Sequence, residues 1–324
     1  MIALRSAIRT ATALCALLAV NAFAQTWPAK PVRLIVTFPP GGSSDLVARL
    51  ISGPLTEKLG QTVVIDNRPG GGATIGAAMV ATAPADGYTL MLSNTTPISI
   101  SPFMLDKPTY DGAGGFTHMF YIGSVPNIFV VHPSVPVKNM KELITFIRGQ
   151  KDAVNYGSGG IGSIGHIIGE LFKNDNKLKM EHVGYRGSAP MHTDLIGGQI
   201  PMAVDSFPQN VPYMQTGKLR GIAVTSLKRM ALSPDVPTVV EVGMPKLVAE
   251  NFLGVSGPPG TPAAVTERVH KEMSEIVKRP DMVKKFDELG ISMRPMTPAE
   301  FTTFVKKQVA DWGPAVKASG AKLN

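Results

Sequence analysis

Two glycine-rich loops of this chain carry residue types that could hold an anion. The first contains, in order, Phe38, two prolines, Gly41, Gly42, Ser43, Ser44 and Asp45. The apolar run at 34–36 predicts a buried strand before this loop. The apolar spacing over 47–59 predicts a helix after it, interrupted at Gly53-Pro54. A helix start exposes unpaired N–H groups at a positive dipole end, which favours a carboxylate or a phosphate. An ordinary strand-to-helix turn without a ligand is the alternative.

The second glycine-rich loop follows a short predicted strand at 154–156. Gly157, Gly159 and Gly162 have the spacing of the dinucleotide fingerprint, and Glu181 lies about 20 residues further on, as that motif requires. A dinucleotide-dependent enzyme is therefore one interpretation of this loop. The polar strand and the export signal described below favour another interpretation, in which the two loops face each other and hold a small anion from both sides.

Other catalytic or metal chemistry has little support in the sequence. The chain holds no Gly-x-Ser-x-Gly nucleophile elbow, and its one cysteine, Cys15, lies in the predicted signal. The spacing of His166, His182 and His192 matches no common metal signature. We therefore predict no metal site and no catalytic residues.

Residues 1–24 have the pattern of a secretory signal peptide. Two arginines precede an apolar run over 11–20, and Ala22-x-Ala24 is a small-x-small cleavage site. Cleavage near Ala24 would remove Cys15 and, with the two arginines, lower the net charge from +8 to +6. An exported chain of this size without disulfides fits the bacterial periplasm. We therefore predict a periplasmic protein.

The positive charge is dispersed along the chain. Basic residues stand singly among acidic and apolar ones, and no basic stripe is interleaved with aromatic residues. We therefore expect no nucleic-acid partner, whereas a basic surface can steer anionic solutes. No segment after the signal is long and apolar enough to cross a membrane.

Strand-like and helix-like segments alternate along the chain. The strand segments are 34–36, 62–65, 88–92, 128–131, 154–156, 202–204 and 219–224, and the helical ones lie near 74–83, 138–149, 163–174, 188–197, 262–279 and 298–318. This alternation predicts a mostly parallel α/β sheet with helices on both faces and a ligand at the carboxyl ends of the strands. Irregular segments at 106–117 and 233–237 flank the middle third, as two crossings between domains would.

Several short motifs follow one another in a specific order. They are Trp27-Pro28-x-Lys30-Pro31-Val32-Arg33, Asp66-Asn67-Arg68-Pro69-Gly70, Pro84-x-Asp86-Gly87-Tyr88, His182-Val183-x-Tyr185-x-Gly187-Ser188-Ala189-Pro190 and Asp194-Leu195-Ile196-Gly197-Gly198-Gln199. Together with the first glycine loop, these motifs resemble the solute-binding proteins of tripartite tricarboxylate transporters, the Bug family. The resemblance extends over nearly the whole mature chain.

The resemblance implies an α/β protein with a two-lobed, type II periplasmic-binding-protein-like fold and a ligand cleft between the lobes. Residues 26–124 with 249–324 would form one lobe, and 125–248 the other. The implied function is capture of a small organic carboxylate for membrane permease subunits or a sensor kinase, by a monomer that needs no cofactor and performs no catalysis. A periplasmic hydrolase or dinucleotide-dependent enzyme stays the alternative.

The resemblance also implies ligand-binding residues from loops of both lobes. They are Phe38, Gly41, Gly42, Ser43, Ser44, Asp45, Thr95 and Thr96, with Ser158, Gly159, Gly160, Ser163, Tyr185, Ser188 and Asp205. Asp45 has two open roles, since it could cap its own helix or accept a hydrogen bond from the ligand. Thr37 and the segments 94–97 and 257–262 depart from the family's usual pattern, and the change at 94–97 leaves the identity of the carboxylate undetermined.

Overall fold

The structure is a computed structural model that describes residues 27–323, and the predicted signal peptide lies outside the described residues. The strands are β1 (Val32–Val36), β2 (Val63–Asn67), β3 (Thr89–Asn94), β4 (Thr117–Val131), β5 (Val154–Ser158), β6 (Met180–Gly184), β7 (Met202–Ser206), β8 (Arg220–Val224) and β9 (Glu250–Gly257). The helices are α1 (Ser43–Leu59), α2 (Thr74–Ala81), α3 (Ser101–Met104), α4 (Met140–Gly149), α5 (Ile164–Asn176), α6 (Ser188–Ile196), α7 (Phe207–Gln215), α8 (Ala263–Ile276), α9 (Pro280–Glu288) and α10 (Pro298–Ser319). Short 3₁₀-helices cover Gly71–Ala73 and Pro245–Leu247, and a short π-helix covers Thr96–Ile100.

The strands of residues 27–323 form two sheets that share the long strand β4. The first sheet has the order β2-β1-β3-β9-β4, and the second continues from β4 through β7 and β5 to β6, with β8 also paired to β4. Helices pack on both sheets and bury separate apolar cores. The molecule therefore has two lobes.

The chain passes between the lobes on neighbouring strands. β4 pairs with β9 up to Pro126 and with β7 from Asn127 onward, so it leaves the first sheet and enters the second. β9 begins at Glu250 and returns the chain to the first sheet. The Ala249 N–H donates to the Thr225 carbonyl O at 3.0 Å and ties the return to the second lobe. Two adjacent connections of this kind form a hinge.

The prediction of a mostly parallel sheet is wrong. The pairings β1–β2, β1–β3, β5–β6 and β5–β7 are parallel, whereas β3–β9, β4–β9, β4–β7 and β4–β8 are antiparallel. The antiparallel pairs arise because β4 carries the chain across and β9 carries it back beside it. Parallel strands remain on the outer side of each lobe, where helices join them.

The helix α1 is continuous, so the predicted interruption at Gly53-Pro54 is wrong as well. Val47, Ile51 and Leu55 are buried in the core of the first lobe. Their packing outweighs the loss of the one backbone N–H that proline cannot supply.

The C-terminal helix α10 packs against both lobes. Phe301 and Val305 lie in an apolar cluster of the first lobe, while Trp312 and Val316 pack in the same core as Phe172 of the second. Among residues 27–323, every helix, α10 included, is too short or too polar to span a bilayer.

Candidate functional site

A narrow cleft lies between the lobes, beyond the carboxyl ends of β1 and β5. Its volume is about 90 Å³, which suits a small molecule rather than a macromolecule. Both glycine-rich loops line it. The position agrees with the rule that ligands of α/β proteins sit outside the carboxyl ends of parallel strands.

The first wall of the cleft is the N-terminus of α1. Gly42 precedes this helix and provides no side-chain cap. The N–H groups of Ser43 and Ser44 have no hydrogen-bond acceptor within residues 27–323. Because they lie at the positive end of a 17-residue helix, they favour an anion.

The opposite wall is the N-terminus of α5. Ser163 caps this helix, its Oγ accepting a hydrogen bond from the His166 N–H at 3.2 Å. The N–H groups of Ile164 and Gly165 have no acceptor in the described part of the chain, and both residues line the cleft. Two helix ends from different lobes therefore present donors to one space.

Two more helices of the second lobe begin at the cleft. α6 follows Gly187 and α7 follows Ser206, and both of these residues line it. Four helix N-termini thus converge, which gives a positive potential without a buried cation. Each helix end is worth about 0.3–1 kcal/mol to a bound anion, beyond the hydrogen bonds themselves.

Arg186 and Asp205 are the charged residues that line the cleft. Arg186 is exposed and forms no ion pair within residues 27–323. Asp205 is buried, and its carboxylate accepts a hydrogen bond from Ser188 Oγ at 2.9 Å. Burial raises the pKa of Asp205, while the nearby His192 and the hydrogen bond from Ser188 oppose that rise.

The Ser206 hydroxyl is buried and has no hydrogen-bond partner within the described residues. Because an unpaired buried hydroxyl costs free energy, this group is available to a ligand or a water molecule. The hinge strands contribute Asn127 from β4 and Asn251 from β9. Asn251 Oδ1 accepts from the Thr95 N–H at 3.2 Å, which orients its amide.

A hydrogen bond between described residues of the two lobes crosses the cleft. Gln209 Nε2 donates to the Gly41 carbonyl O at 2.9 Å. The loops are close here as well, since a Cβ at Gly187 would lie 3.5 Å from Pro39 Cγ. The structure therefore has the lobes brought together over the cleft.

Nine of the fifteen predicted site residues line the cleft. They are Phe38, Gly42, Ser43, Ser44, Thr96, Gly159, Ser163, Ser188 and Asp205. The other six lie beside it, and they are Gly41, Asp45, Thr95, Ser158, Gly160 and Tyr185. Thr95 Oγ1 donates to the Glu250 carbonyl O at 3.3 Å, and the Tyr185 hydroxyl donates to Asp194 at 2.8 Å.

Asp45 holds the first loop rather than facing the cleft. Its carboxylate accepts from the Gly41 N–H at 3.0 Å, from Arg49 Nε at 2.8 Å and from Asn67 Nδ2 at 3.0 Å. Burial alone would raise the pKa of Asp45, but the hydrogen bonds from Arg49, Gly41 and Asn67 hold it below its usual value. It therefore does not cap the first N–H groups of α1, and it is not among the residues that line the cleft.

Ser158 is buried beneath the second glycine-rich loop and holds it through hydrogen bonds. Its Oγ lies 2.7 Å from His182 Nε2, and the His182 ring stacks on His166 with centroids 3.9 Å apart. Burial lowers the pKa of His182 to about 3 and that of His166 to about 4. Ser158 is fully buried and also contacts Ser163 Oγ at 3.1 Å, so it is a structural residue of the loop and not an exposed nucleophile.

Sequence reasoning missed several lining residues. Arg186 lies inside a motif that was recognised, but its position at the cleft was not predicted. Ser206 and Gln209 follow a strand end, where the parallel-sheet rule could have pointed to them. Asn127 and Asn251 carry no local signal, because the path of β4 and β9 between the lobes brings them to the cleft.

Two lobes joined by a hinge, with a donor-rich cleft between them, define a solute-binding protein of the periplasmic type. A protein-family model described as "Tripartite tricarboxylate transporter family receptor" matches residues 47–321. BugT of Bordetella pertussis is 31% identical over 301 residues, which is 93% of this chain and 92% of BugT. The chain therefore belongs to the tripartite tricarboxylate transporter receptor family, and the resemblance inferred from the motifs is confirmed.

Solved structures share the whole fold. The R. palustris protein Rpa4515 with adipate has a TM-score of 0.86 and 33% identity, covering 91% of this chain and 99% of its own. MatC from Rhodopseudomonas palustris with bound malate has a TM-score of 0.85 and 27% identity, covering 90% of this chain and 100% of its own. These similarities confirm the predicted two-lobed α/β fold.

Proposed function

We propose that the protein captures a small organic carboxylate between its lobes by reversible, non-covalent binding. The observation that carries this proposal is the convergence of four helix N-termini on one cleft, with N–H groups of Ser43, Ser44, Ile164 and Gly165 that have no acceptor within residues 27–323. N–H groups of this kind bind carboxylate oxygens through short, charge-assisted hydrogen bonds. Micromolar affinity needs only about −8 kcal/mol in total, which a few such bonds and burial in the cleft can supply.

The ligands of similar proteins support the same class of solute. Rpa4515 was solved with adipate and MatC with malate. We propose that this chain delivers its ligand to membrane permease subunits of a tripartite tricarboxylate transporter or to a sensor kinase. It acts as a periplasmic monomer after cleavage of the signal near Ala24.

We propose lobes of residues 26–124 with 249–324 and of residues 125–248. The change of sheet between Pro126 and Asn127 and the start of β9 at Glu250 support these limits. The end of α10 belongs to the first range in sequence and packs on the second lobe through Trp312. Closure of the lobes over the ligand would then bend the hinge strands.

A dinucleotide-dependent enzyme has one observation in its favour. The loop that contains Gly157, Gly159 and Gly162 does connect a strand, β5, to a helix, α5, as the fingerprint requires. A cleft of about 90 Å³ suits a small acid far better than a dinucleotide. We therefore propose binding without turnover and without a cofactor.

A thermal-shift screen over organic acids, amino acids and NAD tests the proposal. A true ligand in excess stabilises the folded form by RT ln(1 + [L]/Kd), so the melting temperature of the protein rises. X-ray scattering with and without that ligand should show compaction, because a ligand that contacts both lobes favours the closed form. No shift with any carboxylate, or a shift with NAD alone, would overturn the proposal.

A further inference from the structure

The cleft offers a ligand both donors and acceptors of hydrogen bonds. The ends of α1 and α5 present N–H donors, among them those of Ser43 and Ile164. A corner of the second lobe, formed by Ser188 and Asp205, adds side-chain oxygen atoms beside the N–H groups at the start of α6. Which protons these oxygens already hold decides what they can accept.

Ser188 has used its hydroxyl proton. Its Oγ donates to Asp205 Oδ1 at 2.9 Å, so its remaining lone pairs can only accept. The Ser188 hydroxyl and the Asp205 carboxylate both lie next to the second glycine-rich loop. A Cβ added at Gly159 would lie 3.2 Å from Ser188 Oγ and 3.7 Å from Asp205 Oδ1. The acceptors therefore lie beside the donor-rich loop, within one small cleft.

Donors surround the other oxygen of Asp205. Asn210 Nδ2 and His192 Nε2 both lie 3.4 Å from Oδ2. His192 Nε2 also lies 3.2 Å from Asn210 Oδ1. Because both oxygens near this nitrogen are acceptors, the nitrogen carries a proton. Ser188, Asn210 and His192, the side chains within residues 27–323 that bond to the Asp205 carboxyl, thus donate to it and leave the group as an acceptor toward the cleft.

A ligand that consists only of carboxylates and methylene groups would place acceptors against this corner. A ligand with a hydroxyl or ammonium group can donate to Ser188 and Asp205 while its carboxylate meets the N–H groups of the helix ends. We infer that the solute is a small carboxylate that also carries a hydroxyl or amino substituent, and that Ser188 and Asp205 accept its proton. This inference rests on the proposed function and narrows its substrate class.

Calorimetric titration with matched acids tests the inference. The series are succinate, malate and aspartate; glutarate, 2-hydroxyglutarate and glutamate; and adipate, 2-hydroxyadipate and 2-aminoadipate. We expect the best substituted acid to bind about tenfold or more tightly than the unsubstituted diacid of its length, because a buried acceptor left without a donor costs free energy. Within each series, tighter binding of the hydroxy acid or of the amino acid shows whether a hydroxyl or an ammonium group donates to Ser188 and Asp205.

The outcomes distinguish this inference from the proposed function. Equal or tighter binding of the unsubstituted diacids overturns the inference and leaves carboxylate capture standing. Binding of no acid in the three series overturns the inference, and the proposed function falls with it only when the broader thermal-shift screen also finds no carboxylate. A preference for substituted acids supports the inference only if the variants below remove it.

Asp205→Asn replaces one acceptor oxygen by a donor, so we expect the preference for substituted acids to fall below about threefold. Ser188→Ala removes the other acceptor and tests the same corner if thermal melting shows that Asp205→Asn does not fold. The matched control is Asp194→Asn, because Asp194 lies in the same lobe and pairs with the Tyr185 hydroxyl. An unchanged preference in a folded Asp205→Asn or Ser188→Ala variant overturns the inference.

Discussion

Gln209 of the second lobe donates a hydrogen bond from Nε2 to the carbonyl O of Gly41 in the first lobe, over 2.9 Å. The N–H of Gly41 is in turn held by Asp45 at 3.0 Å. The bond across the cleft therefore reaches the loop that presents the N-terminus of α1. Because it can form only when the lobes are close, it favours the closed form.

Replacing Gln209 by alanine should weaken ligand binding while the protein stays folded. A neutral hydrogen bond contributes about 0.5–1.5 kcal/mol, so we expect an affinity about two- to tenfold lower in calorimetric titration with the best acid of the screen. Compaction in X-ray scattering should also need more ligand, since the closed form has lost a bond.

The control for this variant is Gln215→Ala at the other end of α7. Gln215 is exposed and does not line the cleft, so its loss should leave affinity unchanged. Equal effects of the two substitutions, or no effect of Gln209→Ala, would show that the cross-lobe bond does not stabilise closure.

Replacing Asp45 by alanine should lower the free energy of unfolding by about 1–3 kcal/mol, because the N–H of Gly41 and the side chains of Arg49 and Asn67 lose the buried carboxylate that accepts their hydrogen bonds. Urea denaturation at about neutral pH measures the loss. The pKa of Asp45 lies below its ordinary value of 3.8, so this contribution is complete above that value. It disappears as the pH falls through the lower, folded-state pKa.

Asp152→Ala is the control for the Asp45 variant, since Asp152 is exposed and has no ion pair within residues 27–323. Its unfolding free energy should match that of the wild type within about 0.5 kcal/mol. A stable Asp45→Ala protein would mean that Arg49 and Asn67 find other partners.

Replacing Gly159 by leucine should abolish tight binding and leave the fold intact. Gly159 does not need a positive φ, and the nearest atom to an added Cβ is Ser188 Oγ at 3.2 Å. The longer side chain would occupy the cleft beside Ser188 and Asp205. We expect affinity to fall by about a hundredfold, as about 3 kcal/mol of hydrogen bonds and burial is lost, with a melting temperature near that of the wild type.

Gly149→Leu serves as the matched control, because Gly149 ends α4 with nothing within 4 Å of an added Cβ. It should bind ligand as the wild type does. Retention of full affinity by Gly159→Leu would remove the second loop from the binding site.

Acid should destabilise the protein through the stacked imidazoles of His166, which is buried, and His182, which is partly buried. The folded-state pKa values of His182 and His166 are about 3 and about 4, against an ordinary value of 6.5. Between these values the unfolded chain binds more protons, so the free energy of unfolding falls as the pH is lowered below about 6.5. His182→Gln should reduce the loss of stability between about pH 7 and pH 4.5, as measured by urea denaturation.

His132→Gln is the comparison for this experiment, because His132 is partly exposed and its ring bonds to Ser134. It should lose as much stability on acidification as the wild type. If His182→Gln and the wild type have the same pH dependence, His182 is not a source of acid sensitivity.

Local patterns in the sequence were sufficient to predict most elements of each lobe. The apolar run before Gly41 and the polar start at Ser43 predicted the strand, loop and helix that the structure contains. The same holds for the loop around Gly159. Such units form from residues within about fifteen positions of one another, so their signals lie side by side in the chain. The family motifs then supplied the two-lobed arrangement that these units alone did not.

Tertiary structure alone decided the antiparallel centre of the molecule and the completion of the cleft. Asn127 and Asn251 line one cleft, and Gly41 accepts a hydrogen bond from Gln209, although the members of each pair lie more than a hundred positions apart. No periodicity or turn signal records such pairings, because strand partners are selected by packing and by the path of the whole chain. The direction of the hydroxyl of Ser188, on which the inferred preference for substituted acids rests, likewise depends on where β7 places Asp205.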